Sequence, residues 1–204
     1  MKLYLSPGSC SLSPHIALRE ANLPFELERV DLKTKTTASG ENYRAINPMG
    51  SVPALKLDDG QVLTEGPAIV QYIADLKPEA KLAPPPGTMA RYRLAECLNF
   101  VSTEVHKAFA PLFWSKEAAV QDLFRGKLAN AFTNVEEKRL AHAPYLCGTE
   151  YSVGDIYFYA LVNRWPQVHQ IDMSRWPRIR DLVARMAERP TVKAAHAAEA
   201  ALRN

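Results

Sequence analysis

Three cysteines in 204 residues are too few and too scattered to staple a fold together. Cys10, Cys97 and Cys147 form an odd, widely spaced set, which argues against a disulfide framework and supplies none of the paired spacings of a zinc site, so no metal is expected. Long apolar runs are missing as well, since no stretch approaches the roughly 18 residues of a membrane span. The opening Met1-Lys2-Leu3-Tyr4-Leu5 is too short before its Ser6-Pro7-Gly8 turn to be the apolar region of a signal peptide, and a cytoplasmic protein is expected. Clusters of one charge sign are also lacking: 25 basic and 22 acidic residues are spread along the chain, for a net charge of +3. That distribution excludes a nucleic-acid binder and leaves only a slight bias towards small anions. With 9 glycines, 47% hydrophobic residues and neither low-complexity tracts nor repeats, the chain reads as globular, with length for one large domain or two small ones.

What is present has an order. Lys2 to Leu5 is a short strand ended by the Ser6-Pro7-Gly8 turn, and a helical period runs from about Ser11 to Ala21. Phe25 to Leu32 alternates as a second strand, and a polar loop and short helix follow it. Pro53 to Leu57 and Gln61 to Leu63 flank Asp58-Asp59-Gly60, a hairpin signal, and Glu65 to Leu76 reads as a helix. This β-α-β-α-β-β-α order defines a small α/β unit whose first two strands join through a helical crossover. Residues 78–87 hold four of the 15 prolines and form a linker. Beyond it Ala, Leu, Arg, Lys and Glu dominate with no strand alternation, so the second domain is all α. There Ser152-Val153-Gly154-Asp155 is a variant capping box that starts a helix at Val153.

Four places carry chemistry. Cys10 follows the first strand and turn, beside the start of the first helix, where unpaired N–H groups and the helix dipole favour a thiolate; the same position also suits a small apolar residue tucked under the turn. The second cysteine of a Cys-x-x-Cys pair is missing from Cys10-Ser11-Leu12-Ser13, so a reactive Cys10 would rest as a mixed disulfide until another thiol arrived. Val52-Pro53 suits either a trans proline opening a strand or a cis bond that turns the Val52 backbone towards an extended peptide ligand. Glu65-Gly66-Pro67 opens the third helix and offers an acid to an ammonium and N–H groups to a carboxylate, though an acid there also simply complements the helix dipole. On the fourth helix, Leu94, Leu98, Val101, Val105, Phe109 and Leu112 form an apolar stripe, while Asn99, Thr103 and His106 make a polar, uncharged face suited to a ligand wall or a subunit contact. His106 is its one group expected to exchange a proton near neutral pH.

Taken together, Lys2-Leu3-Tyr4, Pro7-Gly8-Ser9-Cys10-Ser11-Leu12-Ser13, Asn47 to Leu55, Leu63-Thr64-Glu65-Gly66, His106-Lys107 and the Ser152 box resemble the cytosolic glutathione transferases, and within them the bacterial beta class. The resemblance spans essentially the whole chain. It implies a thioredoxin-like α/β glutathione-binding domain at 1–77, the linker at 78–87, an all-α helical domain at 88–204 with the co-substrate pocket, and a homodimer with its active site near the domain and subunit boundaries. It assigns Cys10 to the glutathione sulfur with His106 as its companion, and the Val52 backbone before Pro53 to the cysteinyl part. Glu65 and the Gly66 N–H fall to the γ-glutamyl end, and Lys35 to the glycyl end. Ser11, Thr103, Lys107 and the partner subunit's Asn99 are further glutathione contacts. Many members carry Ser after the glutamate; Gly66 keeps the N–H contact but lacks a hydroxyl bond of about 1.5–3 kcal/mol.

The activity implied is conjugation of glutathione, as co-substrate, to small apolar electrophiles in detoxification or aromatic and halogenated compound metabolism, with Phe109 and Trp165 as pocket candidates. The alternatives are thiol-disulfide exchange or reductive dehalogenation through a Cys10 mixed disulfide, and a non-catalytic ligand carrier.

Overall fold

A computed structural model describes residues 1–203. By contact the chain divides into two compact units, Met1–Leu82 together with the segment from Glu188 onward, and Ala83–Ala187. In the first unit, β1 (Lys2–Leu5), β2 (Glu26–Asp31), β3 (Thr36–Thr37), β4 (Ala54–Lys56) and β5 (Val62–Thr64) form one sheet in the order β3-β2-β1-β4-β5. β1 and β2 run parallel because α1 (Leu12–Glu20) carries the chain back between them, and the tight β4–β5 hairpin is antiparallel. Gly60, at φ +88, makes its turn. The two-residue β3, hidden in a stretch that reads as polar loop, adds an antiparallel edge to β2.

Side chains alternate across the sheet. Leu3 and Leu5 are fully buried, as are Ile16 of α1 and Ile69, Val70 and Ile73 of α3 (Gly66–Leu76). Tyr4 joins a separate buried cluster with Val30, Val52, Ala54 and Tyr43 of α2 (Tyr43–Ile46).

The second unit is helical: α4 (Met89–Phe100), α5 (Lys107–Trp114), α6 (Ala118–Asn134), α7 (Val153–Val162), α8 (Trp165–Val168) and α9 (Pro177–Ala187). Every member of the apolar stripe from Leu94 to Leu112 is buried. The helix that carries it is not regular, because a π-helical stretch, Val101–His106, joins α4 to α5. α7 is buried along its whole length, and the expected capping box starts it. α9 has a cap that no local pattern announces: the buried Glu136 carboxylate accepts the N–H groups of Arg178 at 3.0 Å and Ile179 at 3.1 Å. Among the described residues no helix is long and apolar enough to cross a membrane.

The last helix, α10 (Pro190–Ala201), departs from the expected 88–204 division, because it belongs by contact to the first unit. It packs on α1, where Glu20 takes Arg189 through two bonds of 2.7 and 3.0 Å and the Thr191 hydroxyl at 2.6 Å.

Candidate functional site

In the first unit the residues singled out above gather around the end of β1, the β4 entry and the start of α3. A Ser6–Ser9 turn with Gly8 at φ +82 delivers Cys10 to a point just before α1. The turn is fastened from inside. The Ser11 hydroxyl donates to the Ser6 carbonyl and accepts its N–H, each at 3.2 Å, and the Ser13 hydroxyl donates to the Cys10 carbonyl at 2.8 Å. Ser11 and Ser13 have no exposed surface, so Ser11, expected as a glutathione contact, serves the turn instead.

The Val52–Pro53 bond is cis. Its loop is held by the Tyr43 hydroxyl and the Asn47 amide, both donating to the Ser51 carbonyl at 2.8 Å, and the Val52 carbonyl accepts the Cys10 thiol at 3.5 Å. Lys35 donates through Nζ to the Gly50 carbonyl at 2.9 Å. Gly50 sits at φ +65, and a Cβ there would press on the Lys35 and Arg44 side chains at 3.2 and 3.3 Å. Glu65 is exposed and held at φ +68, a region that favours glycine, with Gly66 buried behind it as the first residue of α3.

Of the two readings of Cys10, the electrostatics favour the buried neutral residue over the thiolate. Cys10 is 8% exposed, and burial, with Glu65 adding its negative charge, pushes its thiol up to about 12. Removal from water outweighs the pull of a helix start that lies two residues away. In the free protein Cys10 is therefore a neutral donor to Val52, and iodoacetamide at pH 8 is expected to alkylate it about two to three orders of magnitude more slowly than an exposed thiol. Mass spectrometry of a time course measures this; labelling at the rate of a free thiol would contradict it.

A buried carboxylate that the sequence reading missed reaches the same turn. Glu199 of α10 accepts the Gly8 N–H at 3.0 Å, and its other oxygen lies 3.3 Å from His15 Nδ1, while Arg19 donates to His15 Nε2 at 3.0 Å. The signal was available: Val192, Ala195 and Glu199 recur at helical spacing on one buried face, and an acid on such a face needs a partner.

The helical unit has its own constellation. Asn99, Thr103 and Lys107 are exposed and His106 is half-buried; the Thr103 hydroxyl is bonded to the Asn99 carbonyl at 3.1 Å. His106 Nδ1 lies 2.6 Å from the Tyr157 hydroxyl, and its ring packs against Trp165 at 5.4 Å. Burial, helped by the positive charge of Lys107, lowers the imidazole to about 4, so His106 is neutral at physiological pH and does not exchange a proton there as expected. Phe109 is fully buried between Phe132 and Trp165, which makes it a core residue in place of the expected pocket wall. Trp165 is 7% exposed; Phe113, 53% exposed, stands edge-on to it at 5.1 Å.

A mixed five-stranded α/β unit with a cis-proline loop beside a cysteine, in one chain with an all-helical unit, defines the glutathione transferase architecture. The models of the glutathione S-transferase N-terminal domain and C-terminal domain match residues 8–76 and 103–199. The chain belongs to the glutathione S-transferase family. It is 40% identical to glutathione S-transferase GstA of Escherichia coli over 98% of both chains. Among solved structures it is similar to a glutathione transferase from Methylococcus capsulatus, with 52% identity, 98% of each chain covered and a TM-score of 0.93. A bacterial beta class glutathione S-transferase from Sphingomonas chungbukensis gives 44% identity, the same coverage and a TM-score of 0.93.

Proposed function

We propose that this protein conjugates reduced glutathione to small apolar electrophiles. The carrying observation is the grouping, within one unit, of the Val52 backbone at a cis-proline loop, the Cys10 thiol hydrogen-bonded to it, and an exposed Glu65 at the start of α3. Val52 presents main-chain groups to the cysteinyl part of the tripeptide. Glu65 takes the γ-glutamyl ammonium, and the Gly66 N–H, at the positive end of α3, takes its carboxylate. Lys35, with its Nζ at the Gly50 carbonyl, supports the glycyl end. From the helical unit, His106 serves the sulfur, with Thr103, Lys107 and the partner subunit's Asn99 as further contacts on the family resemblance. The same reading makes the protein a cytoplasmic homodimer working in detoxification or in aromatic and halogenated compound metabolism.

The nucleophile is the sulfur of glutathione itself. Its proton leaves to solvent, the thiolate attacks the electrophilic carbon, and the leaving group departs as the C–S bond forms. A buried neutral thiol at Cys10 suits this better than covalent exchange: it donates a hydrogen bond to a thiolate and does not compete with it.

The test is a panel of halogenated aromatics with glutathione, run on wild type and Cys10→Ala. Conjugation by the wild type and a fall of about tenfold to hundredfold in kcat/KM for Cys10→Ala are expected, the size of one lost hydrogen bond to a charged atom. Complete loss in the variant, with a dithiothreitol-sensitive glutathione adduct on wild-type Cys10, would establish thiol-disulfide chemistry instead. Tight glutathione binding with no product from any electrophile or disulfide would establish a carrier.

A further inference from the structure

We propose that Tyr157 is a positioning residue for His106: its hydroxyl donates to Nδ1 and thereby fixes the proton on Nε2, so that His106 presents a single N–H donor to the ligand sulfur. This rests on the assignment of His106 to the glutathione sulfur made above.

Relative acidity sets the direction in this proposal. The Tyr157 hydroxyl and His106 Nδ1 lie 2.6 Å apart, and either could supply the proton, depending on the imidazole tautomer. A phenol is a much stronger acid than a neutral imidazole N–H, and a bare imidazole nitrogen is a better acceptor than a phenol oxygen, so Tyr157 is taken as the donor and Nδ1 as the acceptor. A neutral imidazole carries one N–H, which leaves it on Nε2. The neutral form is the relevant one, since burial with Lys107 nearby depresses protonation of the ring.

Packing holds the arrangement. Tyr157 is 1% exposed and stands on the second turn of α7, the helix whose start is fixed by Ser152 and Asp155. Its ring meets His106 edge-on at 5.8 Å and 75°, and Trp165 closes on His106 at 5.4 Å and 52°. A π-helical stretch ends at His106, and such irregular turns place a side chain where a regular helix would not. His106 is thus set by a neighbour on another helix and not by its own turn alone. Without the Tyr157 hydroxyl the two neutral tautomers compete, and the fraction with the proton on Nδ1 offers the sulfur a lone pair in place of a donor.

Two measurements test this. Long-range proton–nitrogen correlation spectra of the histidine rings, with the His106 signals assigned by their loss in His106→Gln, are expected to show Nε2 protonated and Nδ1 as a bare acceptor in the wild type. Tyr157→Phe is expected to shift the same ring towards a mixture. Protonated Nδ1 in the wild type, or an unchanged ring in Tyr157→Phe, overturns the proposal; the wild-type spectrum stands whether or not the variant folds. In glutathione titrations and turnover, Tyr157→Phe is expected to lose about fivefold, the size of one hydrogen bond. Added to His106→Gln it is expected to lose nothing more, because its effect runs through that ring. Additive losses would mean that Tyr157 acts elsewhere and would overturn it. If His106→Gln itself leaves binding and turnover unchanged, the assignment of His106 to the sulfur fails and the proposal with it; an Nε2–H tautomer in the same protein would locate the failure in that assignment.

Discussion

Asp155→Ala is expected to cost about 3–5 kcal/mol of unfolding free energy, because it strands two buried N–H groups at about 1–3 kcal/mol each and removes a hydroxyl contact. The carboxylate accepts the Leu146 N–H at 2.7 Å, the Ser152 N–H at 2.9 Å and the Ser152 hydroxyl at 3.1 Å, with no exposed surface. One side chain therefore fixes the start of α7 and pins the preceding loop to it. The loop tolerates little movement: a Cβ on Gly154 would sit 2.5 Å from the Cys147 sulfur, so the helix and the loop touch without a side chain between them. Denaturant unfolding measures the loss, and a cost under about 1 kcal/mol would show that water replaces the carboxylate.

The pH dependence has a definite sign. Burial raises Asp155 from 3.8 to about 6, against the pull of its hydrogen-bond donors. The folded state thus holds a proton that the unfolded state releases, and this contribution to stability is complete below about 4 and is lost as pH rises to about 6. Asp155→Asn has no such proton. Wild-type stability relative to Asp155→Asn is expected to fall between those two pH values and to stay level above them; a relative rise over that window would contradict the raised acid.

Glu65 replaced by glycine is expected to separate binding from stability. Glu65 sits at φ +68 and ψ 113, outside the regions open to side-chain-bearing residues, a strain of about 1–3 kcal/mol that glycine relieves. Its carboxylate is exposed and makes no capping hydrogen bond to α3. On the proposed reading it meets the γ-glutamyl ammonium, a charge-assisted bond worth about 1.5–3 kcal/mol, or roughly a tenfold to hundredfold change in Kd. Glu65→Gly should therefore fold at least as stably as the wild type while losing one to two orders of magnitude in glutathione affinity. Calorimetric titration and denaturant unfolding on the same sample decide it, and unchanged affinity would remove Glu65 from the site.

Local signals fixed much of this protein before any tertiary contact was known. The Asp58-Asp59-Gly60 hairpin, the helix crossover between β1 and β2 and the Ser152 capping box depend on neighbours a few residues apart, and the sequence shows those directly. The stripe from Leu94 to Leu112 was legible because periodicity reports which face is buried. Periodicity does not report what a buried face touches, so Phe109 read equally well as pocket wall or core.

Tertiary structure decided the protonation states and the long-range anchors. A helix start beside Cys10 is a local fact that argues for a thiolate, yet burial under the Val52 loop, 42 residues away, leaves a neutral thiol. His106 read as a group titrating near neutrality until Tyr157 and Trp165 closed around it. Glu199, 191 residues from Gly8, ties the last helix to the cysteine turn, and Glu136 caps α9 from 42 residues away. The sequence by itself determined most of the elements, though not β3 or the π-helical stretch, and the family to which they add up, because those depend on local conformation and the period of burial. Whether a side chain is charged, and what it holds, depends on desolvation and on partners brought from distant segments, and only the folded chain supplies both.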